Sequence, residues 1–119
     1  MKKILVVDDN EANMYLMRFI LTKGGYKVLE AKTGEASVEM AVTEKPDLIV
    51  MDIQLPGIDG TEATKQIRAS KVDGKTPIIA LTSYAMRGDK EKALKAGFTG
   101  YLEKPINPET FLVDIKKYL

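Results

Sequence analysis

Three aspartates that follow two apolar segments are the residues best placed to do chemistry. Asp8 and Asp9 come directly after ILVV, and Asp52 comes directly after LIVM. A continuous apolar run of this length indicates a strand that is covered on both faces. An ionised carboxylate at the end of such a strand loses contact with water, which costs several kcal/mol unless another group compensates. The sequence therefore predicts a compensating charge near these aspartates.

Two further apolar segments also end in polar residues. IIAL is followed by Thr82 and Ser83, and GYLE is followed by Lys104 and Pro105. In open parallel sheets, functional groups gather beyond the carboxyl ends of the strands, at the point where the strand order reverses. If the first and third strands are neighbours, the aspartates, the hydroxyls and the amine meet at one edge of the sheet.

The carboxylates are a ligand set that suits a hard divalent cation. Three carboxylates in one cleft repel one another and raise each other's proton affinity. Magnesium prefers oxygen ligands and typically takes one or two carboxylates together with water and phosphate oxygens. We predict a Mg²⁺ site formed by Asp8, Asp9, Asp52 and the backbone carbonyl of Gln54, with Mn²⁺ as the alternative ion.

Asp52 is also a candidate nucleophile. A carboxylate can attack phosphorus and form an acyl phosphate, and phosphoryl transfer depends mainly on positioning and on neutralising the charge of the transferring oxygens. Mg²⁺ on one side, and Lys104 with the Thr82 hydroxyl on another, can neutralise that charge. We therefore interpret Asp52 as a phosphate acceptor that metal and lysine keep ionised.

Each of these residues also has a structural explanation when it is taken alone. Asp8 and Asp9, with Asn10, lie where a helix begins, and Asp or Asn there is usually a cap. Asp52 and Lys104 can form a structural ion pair, and Thr82 is ordinary at a strand end. Four of the five predicted strands, however, deliver an oxygen, a hydroxyl or an amine at the same end, and it is this agreement that favours a site.

Strand-like and helix-like segments alternate along the chain. Strands are predicted over 4–7, 26–31, 48–51, 78–81 and 100–102, with 26–31 as an edge strand. The last helix is predicted to start with Asn107 as cap and Pro108 at its first position. Five strand–helix repeats indicate an α/β fold, with a parallel sheet covered by helices on both faces.

Composition narrows the class of protein. The 119 residues are 45% hydrophobic, and 18 basic residues nearly balance 17 acidic ones, which gives no attraction to nucleic acid or to a membrane surface. The absence of Cys and His excludes disulfides and histidine chemistry. Only four apolar residues follow the two amino-terminal lysines, too few for a signal peptide. We expect one cytoplasmic domain over 1–119 with no room for an output domain.

The chain resembles the response-regulator receiver domains of two-component signalling. The resemblance covers the whole chain and lies in Asp8-Asp9, in Asp52 with the following IQLPGIDG, in Thr82-Ser83 and in Lys104-Pro105. MDIQLPGIDG and ALTSYAMRGDKEKALKAGFTGYLEKPI are most similar to single-domain receivers of the DivK type or to receivers of hybrid kinases. The resemblance implies a flavodoxin-like (βα)5 three-layer fold with a five-stranded parallel sheet of order 2-1-3-4-5.

The resemblance also implies a role for each site residue. Asp52 is the phosphoacceptor, and Asp8 and Asp9 are the acid pair that binds Mg²⁺. Thr82 follows the phosphate, and Lys104 is its ion-pair partner.

The remaining implied positions lie around this site. Tyr101 is the aromatic switch, and the Lys104–Pro105 peptide bond is cis. We expect Gln54, Ser83 and Tyr84, which flank the site, to influence how long the phosphoryl group persists.

The implied function is a signalling switch rather than an enzyme. The donor is a histidine kinase or a histidine phosphotransfer protein, and a protein effector reads the surface of the fourth helix, fifth strand and fifth helix. No nucleic acid, membrane or small-molecule substrate beyond phosphodonors is expected. A phosphorelay shuttle or a receiver excised from a hybrid kinase are open alternatives. A flavin-binding electron carrier is a distant alternative. It needs a loop rich in hydrogen-bond donors after the first strand to bind the cofactor phosphate, and here that loop is Asp8-Asp9-Asn10, which repels a phosphate without metal.

Overall fold

The computed structural model describes residues 1–70, 75–83 and 89–119, in which five strands alternate with five helices. The strands are β1 (Lys3–Val7), β2 (Lys27–Ala31), β3 (Leu48–Asp52), β4 (Ile78–Thr82) and β5 (Gly100–Glu103). The helices are α1 (Glu11–Lys23), α2 (Gly34–Glu44), α3 (Gly60–Ala69), α4 (Asp89–Ala96) and α5 (Phe111–Lys116). None of these helices has the length and apolar character needed to cross a membrane.

The strands form one parallel sheet of order β2-β1-β3-β4-β5. This confirms the predicted flavodoxin-like fold and its strand order. The register places Val7 opposite Met51 and Asp52 opposite Leu81. The carboxyl ends of β1, β3 and β4 consequently lie side by side at one edge of the sheet.

Alternate residues of the strands supply two separate apolar cores. Ile4 and Val6 belong to the cluster under α1 and α5, whereas Leu5 and Val7 belong to the cluster under α2, α3 and α4. Every residue of β3 is buried, as expected for a central strand covered on both faces. In β2 only Ala31 is fully buried, which agrees with its predicted place at the edge.

α1 ends at two glycines, and α5 begins later than the sequence predicts. Gly24 and Gly25 end α1, and Gly25 takes a positive φ of 92°. The predicted start of α5 at Pro108 is wrong, because the helix begins at Phe111. The side chain of Asn107 accepts the Glu109 N–H (2.9 Å), and its backbone carbonyl oxygen accepts the Phe111 N–H (2.9 Å), so the predicted cap residue closes the turn that leads into the helix.

Each end of α3 makes a close contact with another part of the fold. At Gly60, the first residue of α3, an added Cβ would collide with the carbonyl oxygen of Asp52. Arg68, in the last turn of α3, donates from Nε to the carbonyl oxygen of Gly97 (2.9 Å) and from Nη2 to Oγ1 of Thr99 (3.2 Å). Burial lowers the pKa of the Arg68 guanidinium. Arg68 therefore ties α3 to the segment that follows α4.

Candidate functional site

The fold brings the three predicted aspartates together. Asp52 is the last residue of β3, and Asp8 and Asp9 follow the neighbouring β1. The Asp8 N–H donates to the carbonyl oxygen of Ala31 (3.1 Å), which continues the pairing with β2 past the end of the strand. One carboxylate oxygen from each aspartate lies within 4.8 Å of the other two. This spacing allows all three carboxylates to contact one ion.

The three carboxylates differ in their exposure. Asp8 is 1% exposed and Asp52 is 2% exposed, whereas Asp9 is open to solvent. Asp8 and Asp52 are therefore the buried members of the cluster, and Asp9 is the member that faces solvent.

Both oxygens of Asp52 already have partners. Oδ1 accepts the backbone N–H of Gln54 (3.0 Å), and Oδ2 accepts the ammonium of Lys104 (2.9 Å). The same ammonium lies 3.9 Å from Oδ2 of Asp8. Lys104 thus supplies the compensating charge that the sequence predicts for Asp52.

Asp8 is held by the start of α1. Its Oδ1 accepts the backbone N–H of Asn10 (2.9 Å), and its Oδ2 accepts the side-chain amide of Asn13 (3.3 Å). Burial, with a further contribution from the charge of Asp52, raises the pKa of the Asp8 carboxyl, while the Asn10 N–H and Lys104 act in the opposite direction. Asn13 was not predicted from the sequence, because Asn one turn into a helix has no pattern that marks it.

The cap of α1 is Asn10 rather than either aspartate. Its side chain accepts the backbone N–H of Asn13 (2.9 Å). Neither Asp8 nor Asp9 is therefore the cap of α1, which removes capping as an explanation for the two aspartates.

The charge of the cluster fits a divalent cation. Asp8, Asp9 and Asp52 bring three carboxylates together, and Lys104 brings one ammonium to them. Carboxylate oxygens are ligands that Mg²⁺ prefers. The residues present therefore fit the predicted metal.

Thr82 ends β4, the strand beside β3, and Lys104 follows β5, the next strand of the sheet. Thr82 lies next to Leu81, which is paired with Asp52. It is 5% exposed, and its carbonyl oxygen accepts the backbone N–H of Lys104 (2.7 Å). Ser83 follows and is exposed, and Tyr84 lies outside the described residues.

Tyr101 lies on β5, and β4 separates this strand from β3, which carries Asp52. Tyr101 is opposite Ala80 in the sheet and is half-buried against the apolar cluster under α4. The Lys104–Pro105 peptide bond is cis, as the resemblance implies.

The loop after β1 does not suit a flavin phosphate. The N–H of Asp8 donates to Ala31 and that of Asn10 donates to Asp8, so two of its donors are used within the protein. The side chains of Asp8 and Asp9 add negative charge at the same place. This arrangement disfavours the flavin-binding alternative.

Comparisons with known proteins agree with this geometry. A family model described as the response regulator receiver domain matches residues 4–116. The polar-differentiation response regulators DivK of Brucella ovis and Brucella abortus are each 39% identical over 118 residues, which is 99% of this chain and 96% of theirs.

Solved structures resemble this one over nearly their whole length. The chemotaxis response regulator CheY4 of Vibrio cholerae has a TM-score of 0.95 at 33% identity, covering 100% of this chain and 99% of its own. The receiver domain of a sensor histidine kinase from Pseudomonas aeruginosa has a TM-score of 0.90 at 37% identity, covering 98% and 96%. That domain was crystallised with a magnesium ion coordinated in its active-site cleft.

Proposed function

The chain belongs to the response regulator receiver family of two-component signalling, and from this premise we propose that it is a phosphorylation-dependent switch with Asp52 as phosphoacceptor. One observation carries the proposal. Oxygens of Asp8, Asp9 and Asp52 lie within 4.8 Å of one another, and the Lys104 ammonium lies 2.9 Å from Asp52. An acid cluster with a lysine at its edge is suited to receive a phosphoryl group.

The donor is a phosphohistidine on a histidine kinase or phosphotransfer protein. An oxygen of Asp52 attacks phosphorus, the bond from phosphorus to the imidazole nitrogen breaks, and the departing imidazole takes up a proton. Each oxygen of Asp52 has one partner and keeps a further lone pair, so that an oxygen can attack phosphorus while its hydrogen bond is still present. The Lys104 ammonium can remain paired, because the phosphoryl oxygens become its partners.

Mg²⁺ is the proposed cofactor, with Mn²⁺ as the alternative. Asp8, Asp9, Asp52 and the backbone carbonyl of Gln54 would hold it. When bound, the ion neutralises charge on the transferring phosphoryl oxygens. The receiver domain with magnesium in its cleft supports this assignment.

The proposed output is a change in the surface of α4, β5 and α5. Thr82 moves toward a phosphoryl oxygen, and the space it leaves is filled by the ring of Tyr101. Exposed apolar side chains on both helices support a protein partner at this surface, since Leu94 is 50% exposed and Val113 is 58% exposed. The protein acts in the cytoplasm, and Gln54, Ser83 and Tyr84 influence the lifetime of the phosphoryl group.

The proposal is tested by intact-mass measurement. Incubation with a small phosphodonor and Mg²⁺ is expected to add one phosphoryl group to the wild-type protein and none to Asp52→Asn. Chelation of the metal is expected to abolish labelling. Equal labelling of wild type and Asp52→Asn would contradict the assignment of the acceptor.

Two proteins that this chain resembles differ in kind, and this supports one alternative function, transfer of the phosphoryl group to another protein. One is a response regulator and the other is a domain of a sensor histidine kinase. A phosphorelay shuttle, or a receiver excised from a hybrid kinase, passes its phosphoryl group on to a histidine phosphotransfer protein. Rapid loss of label on addition of such a protein would favour that alternative, and a label that persists would favour the switch.

A further inference from the structure

The acceptor loop, residues 53–59, connects β3 to α3 and contains a proposed metal ligand. It begins one residue after Asp52, and it carries the backbone carbonyl of Gln54. The position of that carbonyl depends on the conformation of the whole loop, so contacts elsewhere in the loop bear on the site.

Both ends of the acceptor loop are fixed by backbone hydrogen bonds. The N–H of Ile53 donates to the carbonyl oxygen of Leu81 (3.1 Å), and the N–H of Gly60 donates to the carbonyl oxygen of Ile53 (2.9 Å). At the start of α3, the side chain of Asp59 caps the helix by accepting the N–H of Glu62 (2.8 Å). The middle of the loop needs its own support.

That support comes from the first turn of α2. Oε1 of Glu35 accepts the backbone N–H of Ile58 (3.0 Å). At Gly57, which has a φ of 74°, an added Cβ would lie 2.7 Å from Oε2 of Glu35. At Gly34, an added Cβ would lie 2.5 Å from the carbonyl oxygen of Ile58. Gly34 and Gly57 thus allow the loop and the helix to approach closely, and the Glu35 carboxylate lies between the loop and the helix.

We propose that Glu35 is a positioning residue for the metal site, a proposal that rests on the proposed function. By holding Ile58 and Gly57 against α2, its carboxylate limits the conformations of the acceptor loop and keeps the Gln54 carbonyl close to the position that a metal ligand needs. Glu35 does not contact the ion itself. It acts through the backbone, as outer partners of metal ligands commonly do.

The experiment compares three variants with the wild type. Glu35→Ala removes the acceptor, and Glu35→Gln keeps an oxygen that can accept the Ile58 N–H. Glu39→Ala, an exposed position one turn further along α2, removes the same charge without touching the loop. Mg²⁺ affinity is measured by calorimetric titration, and amide exchange of Gln54 and Ile58 is measured in EDTA.

Glu35→Ala is expected to raise the Mg²⁺ Kd about three- to tenfold, less than the loss of a direct partner of a ligand. Amide exchange of Gln54 and Ile58 is expected to be faster in EDTA. Glu35→Gln and Glu39→Ala are expected to stay within about twofold of wild type.

Other outcomes would overturn the inference. A Glu35→Ala protein that melts at a lower temperature but binds Mg²⁺ as tightly as wild type shows a purely structural role. Equal loss of affinity in Glu35→Ala and Glu39→Ala shows an effect of net charge alone. A wild-type protein that binds no Mg²⁺ overturns the proposed function and this inference together, whereas equal affinity of wild type and Glu35→Ala overturns the inference alone.

Discussion

Nζ of Lys104 lies 2.9 Å from Oδ2 of Asp52, and this contact joins the turn after β5 to the end of β3 across the carboxyl edge of the sheet. The lysine side chain is 16% exposed and the aspartate side chain is 3% exposed. A charge pair that is this well buried gains little net stability when it forms, but leaving one partner unpaired is costly.

Lys104→Met is therefore expected to destabilise the metal-free protein. The carboxylates of Asp52 and Asp8 would remain buried without the ammonium, which we expect to lower the free energy of unfolding by about 3 kcal/mol. Urea unfolding in EDTA measures the loss, and added Mg²⁺ is expected to restore part of it. Lys117→Met is the matched control, because the Lys117 ammonium is exposed. Among the ion pairs of the described residues, it contacts only Asp114, at 3.5 Å. A similar loss of stability in Lys117→Met would contradict the explanation.

The raised pKa of Asp8 predicts how stability depends on pH. The native state binds this proton more tightly than the unfolded chain, so the contribution is present below the ordinary Asp value of 3.8 and is lost as the pH rises through the raised native pKa. Metal-free wild type is thus expected to lose stability over that interval. Asp8→Asn is expected to flatten this dependence and to be more stable than wild type at neutral pH in EDTA. Parallel pH profiles for the two proteins would show that Asp8 is not the group responsible.

A substitution of Asp9 is expected to change metal binding without changing the stability of the metal-free protein. Because Asp9 is exposed, Asp9→Asn is expected to change the unfolding free energy in EDTA by less than about 0.5 kcal/mol. In wild type, Mg²⁺ at a hundred times its Kd is expected to add about 2.7 kcal/mol. Thermal or urea unfolding with and without Mg²⁺ measures both quantities, and Glu39→Gln is the control. A metal-dependent gain of equal size in Asp9→Asn would remove Asp9 from the ligand set.

Gly60 is expected to be intolerant of a side chain. Gly60→Ala places a methyl group against the carbonyl of Asp52, where the nearest atoms are all backbone and cannot move aside. We expect a loss of about 3 kcal/mol and slower labelling of Asp52. Gly25→Ala is the comparison, since its added Cβ meets nothing within 4 Å but φ is 92°; strain alone is expected to cost about 1–2 kcal/mol. Equal losses would mean that the contact with Asp52 has no separate effect.

The strands and the polar residues at their ends were predictable from local patterns, whereas the strand order that brings those ends together was implied by the family resemblance. Apolar runs marked the central strands, and each run ended at the residue that the fold places at the carboxyl edge. The start of α5 was predicted three residues too early, because Asn107 does close a turn through Glu109 but the α-helix begins only at Phe111.

Contacts between distant segments were not predictable. The contact of Glu35 with Ile58 depends on how close two glycines let α2 approach the acceptor loop. The contact of Arg68 with Gly97 depends on the packing of α3 beside α4. Nor does the sequence tell which of the two adjacent residues Asp8 and Asp9 is buried, because that follows from the direction of the chain as it leaves β1.

Arg68 has a practical consequence for the design of a reporter. Its bonds to Gly97 and Thr99 tether the carboxyl end of α4. A dye near Lys95 would therefore lie beside the tethered end of the helix, and a dye at Glu91 would lie about two turns from that end. The chain contains no cysteine, so one engineered thiol at either position gives a single fluorescent label. The difference in emission between the two labelled proteins would then measure rotation of the helix about its anchored end.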